Sequence, residues 1–132
     1  DEKMVYLTRM CRMRYEFKDY FNYGKMLRPP KTNDFVPTFI TDSAIGFSDV
    51  NEAPLILSSC WENDGDTVML ITNCDKKEYT LTYDAPFDSY DDVKYYGEGK
   101  ASSVVDSKIK ITISPESAIA IIKKSKKDKD GN

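Results

Sequence analysis

The sequence predicts a mainly β protein: an antiparallel β-sandwich of about six to eight short strands preceded by one amphipathic α-helix. Three observations predict it. From residue 54 onward, short apolar or alternating runs recur about every ten residues, as in sandwiches and barrels. Turn residues such as Asn63-Asp64-Gly65-Asp66 and Ser114-Pro115-Glu116-Ser117 separate them. Ahead of them lies a single stretch with helical periodicity, and no alternation of strands with helices follows.

The helix is expected over residues 4–23. Tyr6, Met10, Met13, Phe17 and Tyr20 step by four, three, four and three, which aligns them on one face. Leu7, Cys11 and Phe21 widen the stripe, and Arg9, Arg12 and Lys18 mark the wet side. Gly24 is placed to end the helix in a left-handed cap. Pro29-Pro30 forbids a restart. The apolar stripe is wider than a lone helix on a small β-domain needs. Met10, Met13 and Phe17 are therefore the expected interface with a further domain or partner. With that partner absent, they would form a contiguous exposed patch.

Residues 31–53 lack periodicity and read as an irregular connection with one short strand, anchored by Phe35-Val36, Phe39-Ile40 and Ile45 to Phe47. Strands are expected at 55–62 and 67–73, joined by Asp64-Gly65, because a type I′ turn needs positive φ at both central positions. That register sets Trp61 opposite Val68, Cys60 opposite Met69 and Ser59 opposite Leu70. Both faces of this hairpin are apolar, so it is expected at the centre, covered on both sides. Tyr79, Leu81 and Tyr83 alternate with threonines in the next strand. Short strands follow at 93–96 and 103–105. Ile109, Ile111 and Ile113 alternate with Lys108, Lys110 and Thr112, and 118–122 closes the sheet. From Lys123 on, the chain reads as a frayed charged tail. The organisation is thus 1–30 helix and Pro-Pro exit, 31–53 connection, 54–124 sandwich and 125–132 charged flexible tail.

The 132 residues suit one domain, and 40% hydrophobic with 31% charged residues is a globular composition. No run of about 20 apolar residues is present, so no transmembrane helix is expected. Asp1-Glu2-Lys3 opens no apolar leader region. The location is then cytoplasmic, or secreted or periplasmic after loss of a leader. The net charge of −3 is segregated: +4 over residues 1–31, −11 over 32–92 and +4 over 93–132. An acidic centre excludes phosphate-backbone binding there, so nucleic acid is not an expected partner. Cys11, Cys60 and Cys74 form no disulfide framework. Cys60 and Cys74 lie on neighbouring segments, but buried free thiols are the expected state.

The sequence contains no histidine, which removes the usual neutral-pH base and the commonest transition-metal ligand. No Ser-His-Asp or Cys-His set and no phosphate-binding glycine motif can be drawn. Gly97-Glu98-Gly99 reads as a plain turn. Glu62, Asp64 and Asp66 cluster at a hairpin tip, and Asp88, Asp91 and Asp92 in a loop. Glycoside hydrolysis needs two carboxylates in a cleft with different pKa values, and wet tips do not supply that. Neither cluster has the spacing of a calcium-binding EF-hand loop, so no metal or cofactor is expected. Tyr90, Tyr95 and Tyr96 near the acidic loop are the candidate carbohydrate platform, since rings stack on sugar faces and acids accept hydroxyl protons. The competing expectation is that alternating tyrosines are half core and half surface. Trp61, opposite Val68, is expected in the core.

The segment Tyr23-Gly24-Lys25-Met26-Leu27-Arg28-Pro29-Pro30, after an Arg-rich amphipathic helix, resembles the end of the last barrel helix in bacterial TIM-barrel glycoside hydrolases. In those enzymes an all-β C-terminal domain follows. Ser58-Ser59-Cys60-Trp61-Glu62-Asn63-Asp64-Gly65 with 68–73 is similar to the Trp-x-x-x-Gly hairpin that opens such domains in α-amylase-like and α-galactosidase-like enzymes. The run 109–122 is similar to their final hairpin. Residues 31–53 have no counterpart in the pattern.

The resemblance implies a non-catalytic accessory sandwich of a glycoside hydrolase, flanking a catalytic barrel whose carboxylates lie elsewhere. The expected partner is then the catalytic domain of the parent chain. Two other expectations stand beside it: a carbohydrate-binding module, and a protein-interaction domain docking through the helix. An interface of this kind, left bare, self-associates readily, so a homodimer through the helix face belongs with them.

Overall fold

The computed structural model describes residues 2–41 and 51–125. Its architecture is mainly β, with antiparallel strands throughout. A helical layer, α1 (Glu2–Glu16) and α2 (Lys18–Tyr23), lies on one face of a five-stranded sheet. That sheet runs in the order β1 (Lys25–Leu27), β4 (Ile56–Asn63), β5 (Asp66–Asn73), β10 (Ser117–Lys123), β7 (Asp92–Tyr96). Its other face packs on a three-stranded sheet of β6 (Tyr79–Asp84), β9 (Lys108–Ile113) and β8 (Gly99–Ala101). A small ribbon of β2 (Thr38–Thr41) and β3 (Asn51–Pro54) completes the described elements.

The hairpin at residues 63–66 sets the register. Asp64 and Gly65 take φ of 54° and 88°, as a type I′ turn requires. The pairing of Trp61 with Val68, Cys60 with Met69 and Ser59 with Leu70 follows. Alternation then sends Met69 and Ile71 toward the second sheet, and Val68 and Leu70 toward the helix. β10 sits between β5 and β7 and is buried on both faces, which explains its unbroken run Ala118-Ile119-Ala120-Ile121-Ile122. One core joins Ile119 and Ile121 to Leu81, Tyr83, Ile109, Ile111 and Ile113 across the sandwich. A second joins Ala118, Ala120 and Ile122 to Met13 and Phe17 of the helical layer.

Several sequence expectations are corrected. The helix is not continuous: Phe17, with φ −108° and ψ 18°, separates α1 from α2 and buries its own side chain at the break. Gly24 ends α2 in an extended conformation, φ −87° and ψ 179°, rather than a left-handed one. Glycine is needed there for space, because a Cβ would stand 2.5 Å from the Tyr20 carbonyl oxygen and 2.6 Å from that of Glu62. Arg9 and Arg12 are not simply on the wet side. Arg9 donates to the Glu116 carbonyl oxygen at 2.9 Å, and the Arg12 guanidinium stands 5.1 Å from the Tyr96 ring centre. Leu7 and Cys11, expected to widen the buried stripe, are exposed.

The closing hairpin is corrected too. β9 pairs only with β6 and β8, and β10 with β5 and β7, so the turn at Ser114–Ser117 carries the chain from one sheet to the other. The strand expected at 103–105 does not form: 103–104 are irregular, and Val105 opens a tight turn closed by its bridge to Lys108. The third strand of that sheet is β8, Gly99–Ala101. The described residues hold ten strands, more than the six to eight expected. The exit after the helix pairs as edge strand β1, and the connection contains both β2 and β3 rather than one strand. The expected anchors Ile45 to Phe47 lie outside the described residues. Lys123 belongs to β10, and the next two backbone N–H groups are held: Lys124 donates to Asp91 and Ser125 to Asp66. The remainder of the tail, 126–132, lies outside the described residues.

Cys60 is a buried free thiol whose pKa burial pushes up to about 11. Cys74 is also free, with its Sγ 3.3 Å from the Tyr6 hydroxyl. Among the described residues no helix is long and apolar enough to cross a membrane.

Candidate functional site

Strand β7 decides what the expected tyrosine platform can be. Consecutive residues on a strand point to opposite faces. Tyr96 faces the helix, is buried at 1% exposure, and meets Phe17 edge-on at 6.4 Å and 77°. Its hydroxyl donates to the Glu16 carboxylate. Burial, and then this bond, raise its pKa. Tyr95 faces the sandwich interior and is half-buried at the sheet edge. Tyr90 also packs on the interior core, tilted against Phe87 at 6.4 Å, and donates to the Ser102 carbonyl oxygen at 3.0 Å. Burial, and then the nearby Tyr95, raise its pKa. The three rings therefore form no common platform.

Tyr95 alone reaches an open cleft of about 360 Å³ at one end of the sandwich. It shares that cleft with Glu78, Glu98, Lys100, Thr112 and Ser114. Gly97 and Gly99 complete the lining. The turn between β7 and β8 explains both glycines. Gly97 has φ +106°, and a Cβ on it would lie 2.1 Å from Ser117 Oγ. A Cβ on Gly99 would lie 2.6 Å from Ile119 Cδ1. Reading Gly97-Glu98-Gly99 as a plain turn accounts for its backbone and misses that it walls a cleft. The sequence does not show that Glu78 joins Glu98 and Lys100, because it comes from a segment about 20 residues away.

Both carboxylates of the cleft belong to exposed residues, so neither is desolvated as an acid catalyst must be. In the two acidic clusters every residue but the half-buried Asp66 is exposed. Asp66 accepts from the Ser125 N–H at 2.6 Å, Asp91 from the Lys124 N–H at 2.7 Å, and Asp92 from its neighbour Val93 at 2.8 Å. Asp66 and Asp91 thus hold the chain after β10, and the Asp92 contact is local. Among the described residues no set of three or more carboxylates and thiols converges as a metal-ligand group.

The helix face holds a second feature. Met13 and Phe17 are buried against the chain's own sheet, and Met10 is half-buried beside them, so the expected exposed patch along these three residues does not form. The unfilled apolar surface lies next to them. Beside the helix, over the far halves of β4 and β5, runs a groove of about 430 Å³ lined by Met13, Phe21, Leu57, Trp61 and Leu70, with Arg14 at its rim. Trp61 is half-buried rather than core. It meets Phe21 edge-on at 5.0 Å and 84°, and its Nε1–H donates to Ser59 Oγ at 3.1 Å. Leu57 stays 49% exposed at the groove, and Leu7 and Met26 are exposed on the same side of the sheet.

No protein-family model matches the chain, and no curated protein sequence matches it. Among solved structures it is similar to one described as a GH30 endoxylanase from Clostridium papyrosolvens C71, at 12% identity and a TM-score of 0.43. The match covers 65% of this chain and 23% of that one.

Proposed function

We propose that this chain is a non-catalytic accessory β-sandwich domain of a glycoside hydrolase, which flanks the enzyme's catalytic barrel. The observation that carries the reading is the apolar groove beside the helix, where Leu57, Phe21 and Trp61 meet solvent next to a fully packed helix–sheet core. Apolar surface gathered in one place, rimmed by polar residues, is characteristic of an interface. The junction supports it as well. The helix ends at Gly24 and the chain pairs at once as edge strand β1 against β4, so helix and sandwich are one packed unit. The Tyr23–Pro30 and Trp61–Gly65 motifs resemble a terminal barrel helix running into a β-domain, and because this helix packs on the chain's own sheet, the groove rather than the helix face is the surface proposed to meet the barrel. Catalysis by this chain itself is disfavoured, because Glu62, Asp64, Asp88, Asp91 and Asp92 are exposed and the half-buried Asp66 is engaged by the Ser125 N–H.

The test is reconstitution. The purified chain is mixed with the barrel domain of its parent polypeptide, produced separately, and complex formation is followed by size-exclusion chromatography and calorimetry. A stable complex that Leu57→Asp disrupts supports the reading. A parent polypeptide without a barrel overturns it, as does glycan hydrolysis by the folded chain alone.

A further inference from the structure

We infer that the cleft around Tyr95 is a binding site for a short neutral saccharide or the end of a glycan chain. This inference is independent of the docking role, because the cleft lies at the turn from β7 to β8 and shares no lining residue with the groove.

A cleft of about 360 Å³ lies within the usual range for small-ligand sites, roughly 300–1,000 Å³, and toward its lower end. That suits one or two sugar rings. The lining then selects the chemistry. Glu78 and Glu98 are strong acceptors for hydroxyl protons, Lys100 is a donor, and Thr112 and Ser114 are both. Tyr95 supplies an aromatic surface beside them, which suits the apolar C–H face of a pyranose. Gly97 and Gly99 carry no side chain, so peptide groups line the cleft directly. Two carboxylates against one ammonium leave the cleft with a net negative charge, which repels phosphate, sulfate and uronic acids. A lining this polar equally disfavours a lipid or an apolar peptide. A neutral polyol uses every group present.

The core requirements of the turn explain why it is open. Ser117 fills the space behind Gly97 and Ile119 the space behind Gly99, so both positions exclude a Cβ for reasons of packing. Tyr95 is held from below by the interior core. Tyr95, Gly99, Lys100 and Thr112 stand on strands β7, β8 and β9, and Glu78, Gly97, Glu98 and Ser114 lie in the short connections beside them.

The experiment is ligand-observed saturation-transfer NMR with neutral xylo-, cello- and malto-oligosaccharides at millimolar concentration, paired with amide shifts of the ¹⁵N-labelled chain. Binding is expected for at least one series, with the largest amide shifts at Gly97 and Gly99. Glu98→Gln keeps the backbone bonds of the turn and should weaken binding about tenfold, the loss of one charge-assisted bond. Tyr95→Phe should retain binding and Tyr95→Ala should lose it. Because Tyr95 also packs on the core, Lys100→Ala, an exposed position, serves as the variant whose fold is not in question, and it too should weaken binding. Absence of binding across all three series overturns the inference. So does binding that Glu98→Gln and Lys100→Ala leave unchanged, or a preference for glucosamine with no neutral sugar bound.

Discussion

The Tyr96 hydroxyl donates to the Glu16 carboxylate across 80 residues of chain, tying edge strand β7 to the last turn of helix α1. The Tyr96 ring also packs on Phe17 one residue later and lies under Arg12. One residue of the sheet thus fixes the helix through a hydrogen bond, an aromatic contact and a cation–π contact. Tyr96→Phe removes only the first. It should destabilise the domain by about 1 kcal/mol, and by more if the carboxylate finds no water. Glu16→Gln should cost a similar amount, and the double variant little beyond either alone, because the two groups act as one. Urea unfolding of the four proteins checks this. Fully additive losses would show that the bond contributes nothing.

Phe17 carries the larger part of the helix docking. It is 4% exposed, at the break between α1 and α2, against Tyr96 and Tyr20. Phe17→Ala should cost about 3–5 kcal/mol, the usual range for emptying a buried phenylalanine site. The strands should survive in part, since the sandwich core of Ile111, Ile119 and their neighbours is separate from the helix core. Circular dichroism should then show helix lost at lower denaturant than strand. A single coincident transition for both signals would refute the separation.

How much of this was legible in the sequence depends on the range of the interaction. Asp64-Gly65 is a local signal, and it delivered the register of β4 and β5 residue for residue. The run from Ala118 to Ile122 was legible as the closing strand, and its burial on both faces between β5 and β7 was not. The destination of that strand was not legible. Ile109 to Ile113 and the run after it look alike whether a turn keeps them in one sheet or carries them across the sandwich, because alternation reports faces and not partners. The same limit hid the cleft, whose lining comes from segments 78, 95–100 and 112–114. The tyrosine platform fails for a reason the sequence did contain. Tyr95 and Tyr96 are adjacent on a strand and cannot share a face.

Gly24→Ala tests the turn between helix and sheet. The added methyl group would meet two backbone carbonyl oxygens, of Tyr20 and Glu62, and neither can yield without opening α2 or the β1–β4 pairing. A loss of about 1–3 kcal/mol is expected, as for overpacking elsewhere. Thermal unfolding measures it. A stabilised variant, the outcome expected if the glycine only loosened the unfolded chain, would show that the junction has slack.

Alkaline pH should unfold the domain earlier than an ordinary sandwich. Burial pushes the Tyr83 pKa up to about 12 from 10.0, with Asp34 adding to it. Burial and the bond to Cys74 push Tyr6 up to about 12 as well, and buried Cys60 rises from 9.0 to about 11. A folded-state pKa above the unfolded value means the stabilisation is complete below the unfolded pKa and is lost as pH rises toward the folded one. The window is therefore pH 9–11 for Cys60 and 10–12 for the tyrosines. Each fully buried group removes roughly 1.4 kcal/mol per pH unit inside its window. Urea midpoints should be flat from pH 7 to 9 and fall above it. Tyr83→Phe should flatten the upper part of the slope. A midpoint unchanged at pH 11 would contradict the burial of these groups.

Leu57 separates docking from stability. It is 49% exposed at the mouth of the groove and lies opposite Thr72 on the helix side of the sheet, outside either core. A surface substitution away from buried contacts usually changes stability by no more than about 0.5 kcal/mol. Leu57→Asp should therefore leave the unfolding midpoint almost unchanged. The same carboxylate would have to be desolvated in any complex that covers the groove, a cost of several kcal/mol without a partner cation. Among the described residues Arg14 is the only charged one in the lining, and its guanidinium would offset part of that cost. The variant should consequently abolish association with a barrel domain, and equally any homodimer through this face. Sedimentation of the isolated chain distinguishes them: a dimer that Leu57→Asp converts to monomer assigns the groove to self-association, while a monomer in both forms excludes a homodimer there and is what the proposed docking on a barrel predicts. Retention of the barrel complex by Leu57→Asp would move the interface off the groove altogether.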